Sequence, residues 1–280
     1  MIVPGSATQA LAAELAAETG RELAAVTYET FPDGERLVQV EHVEDEVTVV
    51  ASTVSDGDWI ELLQLQDAVR EAGASAVTTV LPYMGYARQD TAFEPGQPVS
   101  ARAMARAVST GTDRVLTVTP HETAVCDFFD VPTEAVDAAR VLASPLPELE
   151  DPLFLSPDAG AIELAETVRK RYGIGDTDHF EKTRHSGTEV SIEPSEAAVE
   201  GRDVVLVDDI IATGSTMSEA ISVLDDRGAD RVFVTCVHPL LVSNAFSKLS
   251  RAGVEAVIGT DTIERPASEV TAAPVIADAL

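Results

Sequence analysis

A strand that leads into two adjacent acids and then a loop of small residues constrains this chain more than any other feature. Residues 204–207 (Val-Val-Leu-Val) form a run of β-formers, which is typical of a buried parallel strand. Asp208 and Asp209 follow where this strand is predicted to end, and residues 213–216 open a helix predicted over 215–227. Ligands of open α/β sheets bind outside the carboxyl ends of strands, so this order predicts a ligand site.

The chemistry of this segment favours a phosphorylated sugar as the ligand. Backbone N–H groups of the loop and the positive end of the helix dipole suit a phosphate group. Adjacent carboxylates would repel a phosphate, so we expect Asp208 and Asp209 to bind vicinal hydroxyls of the sugar. The alternative interpretation is that the acids only solvate the end of the strand, while Ser215 or Thr216 caps the helix.

Alternation of apolar β runs with helical patterns predicts an α/β fold with parallel sheets and crossover helices. Strands are predicted near 23–30, 47–53, 75–82, 113–119, 153–156, 204–207, 230–236 and 254–258, and helices near 6–19, 58–72, 99–110, 158–172, 215–227 and 242–251.

An internal repeat predicts two tandem domains of common ancestry. Residues 111–121 and 228–238 share Gly, Asp, Arg, Val and His in register. A proline-rich acidic segment at 144–152 then divides the chain into domains 1–143 and 144–280, and the extreme C-terminus can pack back on the first domain.

The charge of the chain excludes some classes of partner. Its 280 residues include 48 acids and only 19 Lys and Arg, for a formal net charge of -29. Nucleic-acid binding is disfavoured because a phosphate backbone requires a basic face. The chain lacks both an apolar stretch of the roughly 18–20 residues needed for a membrane span and a leader-like start. We therefore expect a cytoplasmic protein with no membrane partner.

Further polar residues lie in predicted turns and at predicted strand ends. Residues 31–35 (Phe-Pro-Asp-Gly-Glu) have the composition of a turn and, taken alone, favour the tip of a β-hairpin. The long loop at 83–98 carries Arg88, which can hold a phosphate. His121 ends one predicted strand and Asp158 follows another. A His and an Asp at neighbouring strand ends can bind a divalent ion directly or through its waters, although a lone His is usually structural.

Lys182 attracts attention because the chain has only three lysines. It lies two residues before Arg184, at the end of another predicted strand. Two cations at this place can neutralise charge that develops on a transferred phosphoryl group.

Together these segments resemble the motifs of ribose-phosphate diphosphokinases, also called phosphoribosyl diphosphate synthetases, and 181–184 is most similar to archaeal members. The resemblance runs from about residue 2 to about residue 265. It implies two tandem phosphoribosyltransferase-type domains. It also implies transfer of the diphosphoryl group of Mg-ATP to the anomeric hydroxyl of ribose 5-phosphate, with release of AMP.

The resemblance also implies a role for each site residue. Catalysis would rest on Lys182 and Arg184, and Mg²⁺ would be held by His121 and Asp158. ATP would be bound by Phe31, Asp33, Glu35, Arg88 and Gln89, the first three contacting adenine from a neighbouring subunit, so that the enzyme would be a homo-oligomer of two or more chains. Ribose 5-phosphate would be bound by Asp208, Asp209, Thr213, Gly214, Ser215 and Thr216.

Two residues depart from the family pattern, and two alternative functions stay open. Thr119 stands where the family has an acid two places before the His, and Thr91 stands where many members have a base. A phosphoribosyltransferase shares the 213–216 loop but would not require the internal repeat or the 31–35 turn. A catalytically silent regulatory relative would bind the same ligands without reaction.

We predict that the acidic surface is adapted to high salt. Repulsion among surface acids destabilises the folded chain in dilute buffer. Salt at 1 M shrinks the Debye length to about 3 Å and so weakens this repulsion. The melting temperature should therefore rise from low salt to molar KCl in a thermal denaturation series. An unchanged melting temperature would contradict the prediction.

Overall fold

Short apolar runs rich in β-branched residues form the strands of two parallel sheets, one in each of two compact units. The computed structural model describes residues 1–184, 190–194 and 197–280, and the side chains of these residues except those of 182–184 and 190–194. The first unit comprises Met1–Asp137, Asp261–Glu264 and Thr271–Leu280, and the second comprises Ala138–Thr260 and Arg265–Val270.

The strands of the described chain are β1 (Ile2–Pro4), β2 (Val26–Thr30), β3 (Arg36–Val40), β4 (Glu46–Val50), β5 (Ala76–Leu81), β6 (Arg114–Val118), β7 (Thr133–Val136), β8 (Leu153–Ser156), β9 (Asp176–Arg184), β10 (Val190–Pro194), β11 (Asp203–Ile210), β12 (Arg231–His238), β13 (Ala256–Thr260) and β14 (Ser268–Val270). The α-helices are α1 (Gln9–Thr19), α2 (Asp56–Glu71), α3 (Ser100–Ser109), α4 (Ile162–Tyr172), α5 (Ser215–Asp226), α6 (Ala245–Arg251) and α7 (Ala273–Ala277). Each predicted strand and helix is present, with bounds that differ by a few residues.

The sheet of the first unit has the order β1-β4-β5-β6-β7, and each neighbouring pair is parallel. Apolar residues of the central strands, such as Val77 and Leu81, are fully buried against Leu62, Leu65 and Val69 of α2. This packing holds the loops that follow β4, β5 and β6 at one edge of the sheet, because the carboxyl ends of parallel strands meet there.

A strand is confirmed near residues 23–30, but it lies outside the parallel sheet, in the hairpin that the turn at 31–35 favours. β2 pairs antiparallel with β3 in a separate two-stranded sheet. Most β2 side chains are partly or fully exposed, a pattern that suits a ribbon covered on one face by α2 rather than a strand buried on both faces. The predicted turn at 31–35 joins the two strands, with Gly34 N–H donating to the Phe31 carbonyl at 2.9 Å and φ +94° at Gly34.

The chain returns to the first unit near its C-terminus. The Glu264 carboxylate accepts from the N–H groups of Ala10 at 2.7 Å and Leu11 at 3.3 Å, so it caps the first turn of α1 from 254 and 253 residues away in sequence. Helix α7 packs on α1, and Arg114 donates to the Ala279 carbonyl at 3.0 Å. No helix among the residues that the structure describes is long and apolar enough to cross a membrane.

The sheet of the second unit has the order β10-β9-β8-β11-β12-β13-β14 over the described residues, parallel except for the β9–β10 pair. Strand β11 lies at its centre, and residues 204–207 are fully buried as predicted. The strand is longer than predicted, because β12 continues the pairing to Ile210 opposite His238. Asp208 and Asp209 are therefore among the last residues of β11 rather than after its end, which corrects the sequence-based prediction.

Candidate functional site

Three carboxylates lie at the carboxyl edge of the second sheet. Strands β8 and β11 are parallel neighbours with Leu155 opposite Leu206, so Asp158, just beyond β8, lies at the same edge as Asp208 and Asp209. The charges of Asp209 and Asp158 both raise the pKa of Asp208. The structure therefore brings together Asp158 and the acid pair, which the sequence suggested for different roles.

Main-chain groups hold each carboxylate in place. Asp209 N–H donates to Asp208 Oδ1 at 3.0 Å, and Ile210 N–H donates to Asp209 Oδ1 at 2.8 Å. Asp158 Oδ1 accepts from Gly160 N–H at 3.1 Å, and the Asp158 carbonyl accepts from the Ser156 hydroxyl at 2.7 Å. These short local bonds orient the three side chains before any ligand arrives.

Burial and like charge make this edge of the sheet unfavourable for negative charge. Burial is the main cause that raises the pKa of Asp208 well above its ordinary range, followed by the charge of Asp209 and, to a smaller extent, of Asp158. Cys236, paired with Asp208 across the sheet, is fully buried, and burial followed by the Asp208 charge raises the pKa of its thiol. Hydroxyl donors or a cation bound here would relieve the repulsion.

The loop before α5 presents main-chain donors. Gly214 precedes the helix with φ +69°, a left-handed conformation that glycine adopts without steric cost. The first bond within the helix runs from Ser218 N–H to the Gly214 carbonyl at 2.9 Å. N–H groups in the first turn of a helix have no acceptor within it, so those of Ser215, Thr216 and Met217 suit an anion.

Lys248 contacts this loop, and sequence reasoning missed it. Its Nζ donates to the Thr213 carbonyl at 3.1 Å and to Ser215 Oγ at 2.9 Å. The rarity of lysine that singled out Lys182 applies equally to Lys248, so the sequence contained a usable signal. What the sequence could not show is that α6 packs beside α5 and directs this side chain to the loop.

In the first unit, the 31–35 turn is exposed at the tip of the β2–β3 hairpin, with Asp33 Oδ1 accepting from Glu35 N–H at 3.2 Å. The base of the hairpin is fixed by Arg36, which donates to the carboxylate of Glu61 at 3.2 Å. Glu61 is only 4% exposed and also accepts from the N–H and hydroxyl of Ser6, at 2.6 and 2.7 Å. A rigid base therefore carries the exposed tip.

The loop after β5 is tied down at several points. Gly85 N–H donates to Thr53 Oγ1 at 3.0 Å, and a Cβ at Gly85 would lie 2.2 Å from the Thr53 carbonyl oxygen, so only glycine fits. The Gln89 side chain accepts from the Ser100 hydroxyl at 2.5 Å, which attaches the loop to the start of α3. Arg88 is exposed, as a residue that meets a ligand from solvent must be.

The two residues suggested for metal binding belong to different units. His121 is exposed beyond β6 in the first unit, and Asp158 lies in the second. Thr119, which stands in place of the family's acid, has φ +38°, an uncommon value for a β-branched residue. Within the described part of the chain, no three His, Cys, Asp or Glu side chains form a group that could hold a metal ion.

Lys182 and Arg184 are placed only by their main chain. They lie at the end of β9, opposite Ile192 and Val190 of β10 in an antiparallel pair. Their side chains fall outside the described residues, so their predicted catalytic role stays a prediction.

We predict that Asp208→Asn stabilises the protein at neutral pH. The pKa of Asp208 is raised in the folded state, so ionising it opposes folding; this unfavourable contribution is absent below the ordinary pKa of Asp and complete above the raised one. Asn keeps the oxygen that accepts from Asp209 N–H. We expect a melting temperature higher by about 2–4 °C, the shift that corresponds to roughly 1 kcal/mol.

The stabilisation should shrink as the pH falls through the raised pKa, because Asp208 then becomes protonated in the wild type too. Thermal melts over a pH series would show this trend, with exposed Asp127→Asn as the matched control. A lower melting temperature for Asp208→Asn at neutral pH would refute the electrostatic account.

Comparison with known proteins assigns a family to each half of the chain. Residues 1–111 match the family described as the N-terminal domain of ribose phosphate pyrophosphokinase, and residues 133–254 match the phosphoribosyl transferase domain. These matches confirm the predicted α/β fold with two tandem phosphoribosyltransferase-type domains.

Individual relatives match along all or nearly all of the chain. It is 64% identical to the ribose-phosphate pyrophosphokinase of Halobacterium salinarum over 100% of both proteins, and 46% identical to that of Methanopyrus kandleri over 96% of this chain and 94% of the relative. The crystal structure of phosphoribosylpyrophosphate synthetase from Mycobacterium smegmatis matches with a TM-score of 0.85 and 30% identity, over 100% of this chain and 96% of that one. Similarity over its full length, in both sequence and fold, shows that this chain belongs to the ribose-phosphate pyrophosphokinase family.

Proposed function

We propose that this chain transfers the diphosphoryl group of Mg-ATP to the anomeric hydroxyl of ribose 5-phosphate, giving 5-phosphoribosyl 1-diphosphate and AMP. The observation that carries the proposal is the pairing of opposite chemistries at the edge of the second sheet. Asp208 and Asp209 offer acceptors for hydroxyl groups, and the start of α5 offers donors for a phosphate. The relatives that match over the full length carry the name of this activity.

Ribose 5-phosphate satisfies both halves of this site. Its 5-phosphate accepts from main-chain N–H groups of residues 213–216, in the positive field of the helix N-terminus. Its 2- and 3-hydroxyls donate to Asp208 and Asp209 and so offset the burial and the like charge that raise the pKa of Asp208. A sugar without the phosphate, or a phosphate without the hydroxyls, would use only half of the site.

ATP binding is assigned to residues of the first unit. Phe31, Asp33 and Glu35 contact adenine from the tip of the hairpin, which the ion pair of Arg36 with the buried Glu61 holds at its base. In this proposal the tip completes the adenine site of a neighbouring copy of the chain, so the enzyme is a homo-oligomer. We also place the enzyme in the cytoplasm.

The triphosphate is assigned to the loop after β5. Arg88, exposed on this loop, pairs with the phosphates, and Gln89 keeps the loop attached to α3. Thr91 stands where many relatives have a base, so Arg88 carries more of the triphosphate charge here.

The residues present fit a magnesium ion. Mg²⁺ prefers oxygen ligands and is usually held by one or two carboxylates together with waters and substrate phosphates, so a cage of three protein ligands is not needed. Asp158 would hold it, with His121 assisting through the ion's waters; the Asp158 charge, which raises the pKa of Asp208, also favours a cation. When bound, Mg²⁺ neutralises charge on the triphosphate and orients its phosphates.

The reaction then depends on positioning and electrostatics. The anomeric oxygen attacks the β-phosphorus of ATP, the bond from that phosphorus to the bridging α,β-oxygen breaks, AMP leaves, and the anomeric proton passes to solvent. Lys182 and Arg184 stabilise the negative charge that develops on the transferred group, and no covalent enzyme intermediate is required.

Two competing functions make different predictions. A phosphoribosyltransferase would consume 5-phosphoribosyl 1-diphosphate, but the match of the first unit to the pyrophosphokinase N-terminal domain argues against it. A catalytically silent relative would bind ATP and ribose 5-phosphate without forming AMP. The presence of Lys182, Arg184 and Asp158 argues against silence.

The decisive experiment is product analysis. Purified protein is incubated in molar KCl with Mg²⁺, ATP and ribose 5-phosphate, and AMP and 5-phosphoribosyl 1-diphosphate are quantified by chromatography. Formation of both products in equal amounts would support the proposal. Absence of AMP while both ligands still bind would favour the silent regulatory relative.

We predict that Lys182→Ala lowers kcat by about 10²-fold or more, the effect of losing one charge-stabilising donor in a transition state. Steady-state kinetics with both substrates at saturation would measure it. Lys170→Ala is the matched control, because Lys170 is exposed on α4 and pairs with Glu166 one turn away. Turnover of Lys182→Ala equal to that of the control would refute the assigned role.

A further inference from the structure

We propose that Lys248 is a positioning residue that sets the phosphate loop, residues 213–216, in its anion-binding form and thereby determines affinity for ribose 5-phosphate. This inference rests on the proposed function of the loop. Lys248 comes from α6 rather than from the loop's own sequence. It lies outside each motif on which the sequence resemblance rests.

The ammonium group bridges both sides of the turn at Gly214. Lys248 Nζ donates to the Thr213 carbonyl at 3.1 Å, just before Gly214, and to Ser215 Oγ at 2.9 Å, just after it. Gly214 has φ +69° and is buried, and a Cβ there would lie 3.4 Å from Leu249 Cγ. One cation therefore clamps the left-handed turn from which the main-chain donors of α5 emerge.

This clamp also sets the direction of the Ser215 hydroxyl. Ser215 Oγ accepts from Lys248 Nζ and from Thr213 Oγ1, the latter at 3.3 Å. A hydroxyl has two acceptor lone pairs and one donor hydrogen, so two accepted bonds leave the hydroxyl hydrogen to point outward as a donor. At the first residue of α5, that donor lies beside the N–H groups of the same turn, where an anionic oxygen would accept from it.

The charge of Lys248 balances the acids of the same sheet edge. Asp208 and Asp209 precede the loop by only a few residues, and their negative field opposes a phosphate. The contact with Lys248 places a positive charge on the loop itself. It also offsets the partial negative charge of the Thr213 carbonyl oxygen, which would otherwise oppose a bound anion.

The segment that carries Lys248 is attached to the loop independently of the lysine. Leu241 N–H donates to the Ile211 carbonyl at 2.9 Å, and Val242 N–H donates to the Ala212 carbonyl at 3.0 Å. Because these main-chain bonds hold α6 next to the loop, replacement of the lysine side chain should leave the fold intact. A change in ligand affinity can then be separated from unfolding.

The test compares Lys248→Met with Lys248→Arg and with Arg251→Met, which removes an exposed cation three residues further along the chain. Ribose 5-phosphate binding is measured by calorimetry without ATP, and KM and kcat are measured for both substrates in molar KCl. Thermal melts confirm that each variant is folded.

We expect Lys248→Met to raise both Kd and KM for ribose 5-phosphate about 10-fold, the scale of a lost charge-assisted hydrogen bond at a partly exposed site. KM for ATP should stay within about 2-fold, because the clamp acts on the sugar-phosphate loop alone. Lys248→Arg should recover most of the affinity, since a guanidinium can donate to both oxygens, and Arg251→Met should bind as the wild type does.

Each other outcome is informative. Wild-type affinity in a folded Lys248→Met variant would overturn the inference while leaving the proposed function intact, as would equal losses for ATP and ribose 5-phosphate or an equal loss in Arg251→Met. Failure of the wild type itself to bind ribose 5-phosphate would overturn the proposed function, and this inference with it.

Discussion

Parallel pairing of β8 with β11 is the constraint on which the candidate site depends. Because the strands run in the same direction, their carboxyl ends meet at one edge, and Asp158 comes near Asp208 and Asp209. A cluster of like charges in a partly buried place does not stabilise the fold, as the raised pKa of Asp208 shows. Bound hydroxyl groups and a cation would relieve this repulsion. Such clusters of charges with shifted pKa values are typical of binding and catalytic sites.

Positive charge lies only a few residues beyond Asp208 and Asp209 in the chain. The first turn of α5 provides main-chain donors and the positive end of the helix dipole, and Lys248 adds a full positive charge at the Gly214 turn. One chain segment of the second unit thus carries a negative subsite followed directly by a positive one. A ligand with vicinal hydroxyls at one end and a phosphate at the other matches this polarity, and ribose 5-phosphate has that form.

The features predicted from sequence are those that local pattern determines. The buried run at 204–207, the turn at 31–35 and the start of α5 at Ser215 are all present as expected. Short edge strands such as β1 and β14, each of three residues, were missed because three residues carry no measurable periodicity. The antiparallel pairing of β2 with β3 is the hairpin that the turn at 31–35 favours, although β3 itself is absent from the predicted strands.

Among the site residues, too, local pattern was predictable from sequence and long-range contact was not. The acid pair and the loop could be predicted because strand, acids and glycine are contiguous in sequence. The contribution of Lys248 could not, because it depends on how α6 packs beside α5. The proximity of Asp158 to Asp208 depends similarly on strand register, which sequence alone leaves open. Long-range packing thus brings together groups that local patterns can only suggest separately.

The central claim is that carboxylates of β11 bind the sugar hydroxyls while the loop before α5 binds the phosphate. Calorimetric titration of the wild type with ribose 5-phosphate and with 2-deoxyribose 5-phosphate, in molar KCl, tests it most directly. The account predicts that the deoxy sugar binds at least about 10-fold more weakly, because a carboxylate is left without its hydroxyl donor. Equal affinity for the two sugars would contradict it.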